Sequence, residues 1–195
     1  MVQRDWRDPI SFCCLKWEVR VYIETERLLF RAYKQTDLVD FIRLNSDPVV
    51  MRYFLNTKTA AESEEMMLKL QDKLEADGYG VFAVEEKSTQ KFIGFIGFNR
   101  FEFDADFAPA IEVLWRLLPE FWNKGYATEG AKACLQFASE KLGLARVYAF
   151  TTLPNIPSEQ VMLKSGMTYV KNFNHPLVPL DHPLLEHKLY VKEWK

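Results

Sequence analysis

The residues from Ala110 to Gly130 constrain the fold more than any other stretch. The apolar-rich run Ala110 to Leu118 reads as a buried strand, and Pro119 stops it. A short polar turn with Asn123, Lys124 and Gly125 follows. Ala127, Ala131, Cys134, Leu135, Ala138 and Leu142 then recur at helical spacing, and Gly143 is a glycine stop. A helix entered this way leaves its first backbone N–H groups without intrahelical partners, at an end carrying about half a positive charge. Gly125 lets the backbone turn tightly and approach a ligand. A pyrophosphate would be held there without a cationic cluster, and a plain connector is the alternative. The three-glycine dinucleotide fingerprint and the glycine-lysine-serine/threonine phosphate loop are both absent, so neither a nicotinamide enzyme nor an NTPase is supported.

The rest of the chain predicts one α+β domain with a mixed sheet. Val19, Val21 and Ile23 alternate with Glu18, Arg20 and Tyr22 and permit a half-buried strand, followed by a strand from Leu28 to Tyr33. Thr36 is placed to cap a helix carrying Leu38, Val39, Phe41 and Ile42. Asp47 with Pro48 starts another, and Thr59 with Glu62 forms a capping box for a longer one ending at Asp77-Gly78. Tyr79–Val84 and Lys91–Phe98 read as paired strands, and Val147–Thr152 as a strand parallel to Ala110–Leu118. Asn155 and Pro157 open a helix ending near Gly166. Met167–Val170 and Leu184–Val191 are the last strands, with a proline-bearing loop, Asn172–Pro183, between them.

At 195 residues, 48% hydrophobic and 14% aromatic, the chain can bury a sizeable core. Its net charge of -2, with both signs interspersed, gives no nucleic-acid footprint. No apolar run approaches the roughly 20 residues of a membrane helix. Three cysteines, with Cys13 and Cys14 adjacent, imply no disulfide framework, and a reduced cytoplasm is the expected location. Residues 1–22 read as an arm packed on the domain or on a partner subunit, so a homodimer is one expectation; residues 23–195 form the domain.

Four segments in order carry a family resemblance. Trp122-Asn123-Lys124-Gly125-Tyr126-Ala127-Thr128-Glu129 resembles the acyl-CoA loop of the GNAT N-acetyltransferases, and Trp122 is similar to the tryptophan common in the Rim-type ribosomal-protein branch. Glu24–Arg31 is similar to that branch's opening strand, and Ile93–Gly97 to its central strand. Asn155-Ile156-Pro157-Ser158 followed by Lys164-Ser165-Gly166-Met167 resembles its asparagine-x-x-serine … lysine-x-glycine-methionine segment. The resemblance implies a mostly antiparallel sheet splayed at its centre, with helices on both faces. It implies acetyl-CoA as acyl donor, no metal, and a small-molecule or peptide amine as acceptor.

Carried onto this sequence, the resemblance places Trp122, Asn123, Lys124, Gly125, Tyr126, Ala127 and Thr128 at the pyrophosphate. It places the strand backbone at Val113, Leu114 and Trp115 beside the thioester carbonyl. Asn155 would contact the pantetheine arm and Ser158 would lie near the sulfur; the plainer readings are a helix cap and a first-turn polar residue. Glu112, in the apolar segment Ala110-Ile111-Glu112-Val113-Leu114-Trp115, is the candidate base, because burial raises a carboxyl pKa. An ion pair with Arg116 or Arg100 is the plainer alternative. Tyr53, Phe54, Tyr79, Asn99 and the Asn172–Pro183 loop would face the acceptor.

Two departures matter. Many GNAT enzymes carry a tyrosine acid where this chain has Met162, leaving Ser158, a water or unaided thiolate departure. Asn123 stands where the branch has glycine, although asparagine tolerates a left-handed backbone. A non-catalytic acyl-CoA-binding module is the rival reading. Cys134 falls on the apolar helix face and reads as core. His175, His182 and His187 match no usual metal spacing. Glu102, Asp104 and Asp106 read as a solvated loop or a weak polyamine-type cluster.

Overall fold

In the computed structural model, residues 20–194 are described; the greater part of the expected N-terminal arm, with Cys13 and Cys14, lies outside them. Eight strands form one sheet in the order β1-β2-β3-β4-β5-β6-β8-β7. They are β1 (Val21–Glu24), β2 (Leu28–Arg31), β3 (Val81–Glu86), β4 (Lys91–Phe101), β5 (Ala110–Leu117), β6 (Arg146–Thr152), β7 (Thr168–Asn174) and β8 (Glu186–Glu193). Neighbours are antiparallel except β5 and β6. The helices are α1 (Leu38–Ser46), α2 (Pro48–Met51), α3 (Ala60–Asp77), α4 (Tyr126–Glu140) and α5 (Ile156–Lys164). The expected α+β architecture is present.

Alternation along the strands separates two faces. Phe98 of β4 stacks on Phe137 of α4, with ring centroids 6.4 Å apart, so α4 covers the face that Phe98 and its register partner Val113 share. On the opposite face Phe41 of α1 packs on Phe92 and Phe95. The main core runs through Leu28, Phe30, Phe41, Phe82, Ile93 and Ile96, each fully buried. A second cluster, built on Phe101, Tyr148 and Leu189, covers the far half of that opposite face. Gly94 permits the close packing of β4 on β5: its φ is +140°, and a Cβ there would lie 2.2 Å from the Arg116 carbonyl oxygen.

α3 follows its capping signals. Thr59 and Glu62 form the reciprocal box, and Gly78 closes the helix at φ +74°. Asp47 caps α2, its Oδ1 accepting from the Val49 amide at 2.7 Å. Thr36 does not cap α1. A single 3-10 turn, Gln35–Asp37, intervenes, because the Asp37 carboxylate is drawn to the buried Arg31 guanidinium and also accepts from the Lys34 amide.

α4 ends at Glu140, three residues before Gly143, whose left-handed turn lets the Leu144 amide reach the Ala138 carbonyl. β7 runs on to Asn174, so the polar start of the expected loop is strand. An edge strand tolerates it, and Asn172 bonds Glu186 across the hairpin. At the N-terminal edge β1 begins at Val21, inside the expected arm; Val21 is exposed, and Tyr22 packs on Phe82.

Candidate active site

β5 and β6 share a single register pair, Glu112 with Tyr148. β5 is paired with β4 along its whole length, from Ala110 to Leu117. Beyond Glu112, therefore, the β5 backbone groups that face β6 have no strand partner among the described residues. Parallel strands joined near their starts diverge toward their C-terminal ends. There β5 feeds α4 and β6 feeds α5, so both helix N-termini border the gap.

Gly125 is the N-cap of α4 at φ +82°, and Asn123 is left-handed at φ +59°. No side chain caps the helix. Among the described residues, the amides from Asn123 to Thr128 find no acceptor, and the first turn closes with the Glu129 amide on the Gly125 carbonyl. The loop is held from outside. Arg27 donates to the Lys124 carbonyl at 3.0 Å, pairs with Glu129 at 2.6 Å, and lies over the Tyr126 ring. Tyr126 turns inward to bond Glu86, and Trp122 Nε1 donates to the Leu117 carbonyl at 2.7 Å. The ring N–H of Trp122 is thus occupied, and only backbone is offered at Tyr126.

Across the gap, Asn155 caps α5. Its Oδ1 accepts from the Ser158 amide at 3.3 Å, and its Nδ2 donates to Thr151 Oγ1 at 2.8 Å. One amide proton and one lone pair remain. The Ser158 hydroxyl is half-buried and makes no hydrogen bond within the described residues. Met162 is 1% exposed and packs into the core.

Glu112, Leu114 and Arg116 alternate with buried Val113 and Leu117, so the first three share the face that carries α1. Asn99, directly across from Glu112, donates to its Oε1 at 3.0 Å. Glu112 forms no ion pair among the described residues, and neither Arg116 nor Arg100 reaches it. Burial pushes its carboxyl pKa up to about 7, and the Asn99 bond offsets only part of that.

Phe54 lies on the Arg116 guanidinium, 4.1 Å from its centre, and Tyr53 stacks under Arg52. Phe54 is thus on the Glu112 face with Asn99. Tyr79 is not: its ring packs on Phe98. On the other flank His175 and His187 lie 4.9 Å apart among Phe103, Phe150 and Phe173, and burial lowers both pKa values, that of His175 to about 4. Glu102 pairs with Arg100 and Asp106 with Lys171 at the surface, whereas Asp104 is exposed and has no ion pair among the described residues. Cys134 is fully buried, with its thiol pKa pushed up by burial. Among the described residues no group of His, Cys, Asp or Glu is placed to hold a metal.

The family model of the acetyltransferase (GNAT) domain matches residues 27–168. The chain belongs to the GNAT acetyltransferase family. An uncharacterized N-acetyltransferase of Bacillus subtilis, YnaD, is 31% identical over 147 residues, 75% of this chain and 82% of that protein. The structure of a GNAT-family acetyltransferase from Bacillus anthracis superposes with a TM-score of 0.74 at 27% identity, covering 88% of this chain and 97% of that one. A RimL ribosomal L7/L12 α-N-protein acetyltransferase, solved with coenzyme A, shares the fold at TM-score 0.72 and 14% identity, covering 89% and 98%.

This GNAT acetyltransferase is an N-acetyltransferase. No described helix is long and apolar enough to cross a membrane. Two residues of its site were not singled out from sequence. Arg27 stands in the Glu24–Arg31 segment that carried the resemblance, but its partner Glu129 is 102 residues away. In the sequence Arg116 reads only as an ion partner of Glu112; strand alternation puts it on the Glu112 face, and its contacts with Phe54 and Phe95 have no sequence signal.

Proposed function

We propose that this chain transfers the acetyl group of acetyl-CoA to a primary amine by direct attack within a ternary complex. The observation that carries the reading is the single Glu112–Tyr148 pair. It sets a carboxyl of pKa about 7 at the apex of a gap whose open end is bordered by unfilled helix amides.

The pyrophosphate would lie on the amides from Asn123 to Thr128, and the pantetheine arm would run along the free edge of β5 toward Glu112. Backbone amides near Val113 to Trp115 would polarise the thioester carbonyl. Glu112, directly or through a water, takes a proton from the acceptor ammonium. The freed nitrogen lone pair attacks the carbonyl carbon, the C–S bond breaks, and the thiolate leaves with the bonding electrons and takes up the second proton that the new amide nitrogen sheds.

An α-amino group (pKa ~8) is deprotonated near neutrality far more readily than a lysine amine (~10.4), which favours a peptide N-terminus or similar amine. A thiol of pKa ~8.5 is a tolerable leaving group, so Met162 does not preclude turnover. Asn155 and Ser158 border the sulfur end. The acceptor enters over Phe54 and Asn99, with Tyr53 at the rim.

Met162 favours a second reading, an acyl-CoA-binding module without turnover. Thiol release from acetyl-CoA across a panel of peptide and small-molecule amines separates the two. Turnover on at least one amine is expected, and binding of CoA with no thiol release on any amine would favour the second.

A further inference from the structure

Two guanidinium groups are sunk into the face that carries Glu112, and the chain treats them differently. Arg31, 1% exposed, is neutralised by Asp37 at 2.7 Å and Glu85 at 2.7 Å. Arg116 has no carboxylate within ion-pair distance among the described residues. Its Nη1 donates to Asn45, and its guanidinium carbon lies over the Phe54 and Phe95 rings, 4.1 and 5.1 Å from their centres. Its Nε is fully enclosed with no acceptor, and Nη2 has none among the described residues. The Nε–Nη2 edge is the fork that takes a carboxylate through two parallel hydrogen bonds. Burial lowers the Arg116 pKa to about 10, as expected for a cation lacking a counter-charge. A second enclosed polar atom, the Tyr33 hydroxyl, also lacks a partner among the described residues. Phe54, which lies over the group, is 44% exposed, and Arg116 itself is only partly buried, so the cation lies close to solvent.

We propose that Arg116 holds a carboxylate of the acceptor, making this enzyme selective for peptides with an acidic side chain near the acceptor amine. The inference rests on the transferase reading only for the place of that amine, at Glu112. Glu112 and Arg116 are four strand residues apart on one face, about 13 Å between Cα atoms, and the two charged ends are separated by on the order of 10 Å. In an extended peptide, an acidic side chain at the third residue lies roughly that far from the N-terminal nitrogen.

The test uses the full chain saturated with CoA and three tetrapeptide amides with free N-termini, carrying Asp, Asn or Lys at the third residue. Calorimetry is expected to show the Asp peptide binding at least tenfold more tightly than the Asn peptide, with the Lys peptide weakest. Arg116→Gln is expected to equalise Asp and Asn. Arg116→Lys, which keeps the charge but not the fork, is expected to retain part of the preference and serves if Arg116→Gln does not fold. Equal binding of the Asp and Asn peptides, no binding by any of the three, or a full preference surviving either substitution would overturn the proposal. Acetyl transfer is read separately with acetyl-CoA. Equal thiol release from all three peptides would remove the role of Arg116 and leave the transferase reading intact. An Arg116-dependent preference in binding without thiol release would keep the carboxylate site and remove the transferase.

Discussion

Glu112 and Tyr148 form the one register pair between β5 and β6 among the described residues, and the two parallel strands part beyond it. That relationship combines a geometric fact with an electrostatic one. The strands join where β5 carries a half-buried carboxyl between Ile111 and Val113, and they separate toward two helix N-termini. The same residue therefore marks the apex of the gap and the group whose proton affinity suits proton transfer near neutrality.

Glu112→Gln tests that chemistry. The base works only as carboxylate, so kcat/KM of the native chain is expected to rise with pH through about 7. The substitution is expected to lower turnover roughly 10²- to 10³-fold at pH 7.5 and to flatten the acid limb, with CoA affinity unchanged. Steady-state rates from pH 5.5 to 9 check this. An unchanged profile removes Glu112 from the mechanism.

The same substitution has an opposite effect on stability. The folded carboxyl pKa lies above the ordinary carboxylate value, so its contribution to stability is full below about pH 4.5 and is lost as pH rises through about 7. Glu112→Gln escapes that loss. At pH 8 it is expected to melt roughly 5 °C above the native chain, a gain of on the order of 2–3 kcal/mol that narrows sharply by pH 5. Melting curves at the two pH values decide it, and a mutant less stable at pH 8 contradicts the burial argument.

Gly125→Val places a β-branched side chain at φ +82°, with its Cβ 3.4 Å from Arg27 Nη2. Strain of about 1–3 kcal/mol is expected to reshape the turn, weakening CoA about tenfold or more while the far half of the sheet is unaffected. Calorimetry with CoA measures it. Unaltered affinity contradicts the loop assignment.

Asn155→Asp separates a cap from a ligand contact. Aspartate still accepts from the Ser158 amide but loses the donor now bonded to Thr151. Stability is expected to change by less than about 1 kcal/mol, whereas the KM for acetyl-CoA rises several-fold. A KM that stays constant means that Asn155 is a cap alone.

Local signals were legible where one rule governed a segment. The Thr59 box, the Asp47 cap and the strand–turn–helix at Gly125 all follow from neighbours in sequence. The misplaced features are those decided from afar. Thr36 lost its capping role because Asp37 answers to Arg31, which also pairs with Glu85, and β7 outran its apolar residues because an edge strand needs only a partner. At the site, Glu112 stood out as a carboxylate among apolar residues. Its bond to Asn99 requires the β4–β5 register, and Tyr79 was assigned to the acceptor side because its facing depends on Phe98.

The most direct measurement is a backbone amide NMR titration of the full chain with CoA. The account predicts the largest shifts at Asn123–Thr128, with a second group at Val113–Trp115 on the free edge of β5. Shifts confined to the cavity between Arg100, Pro109 and Arg146, or no shifts at millimolar CoA, would contradict it.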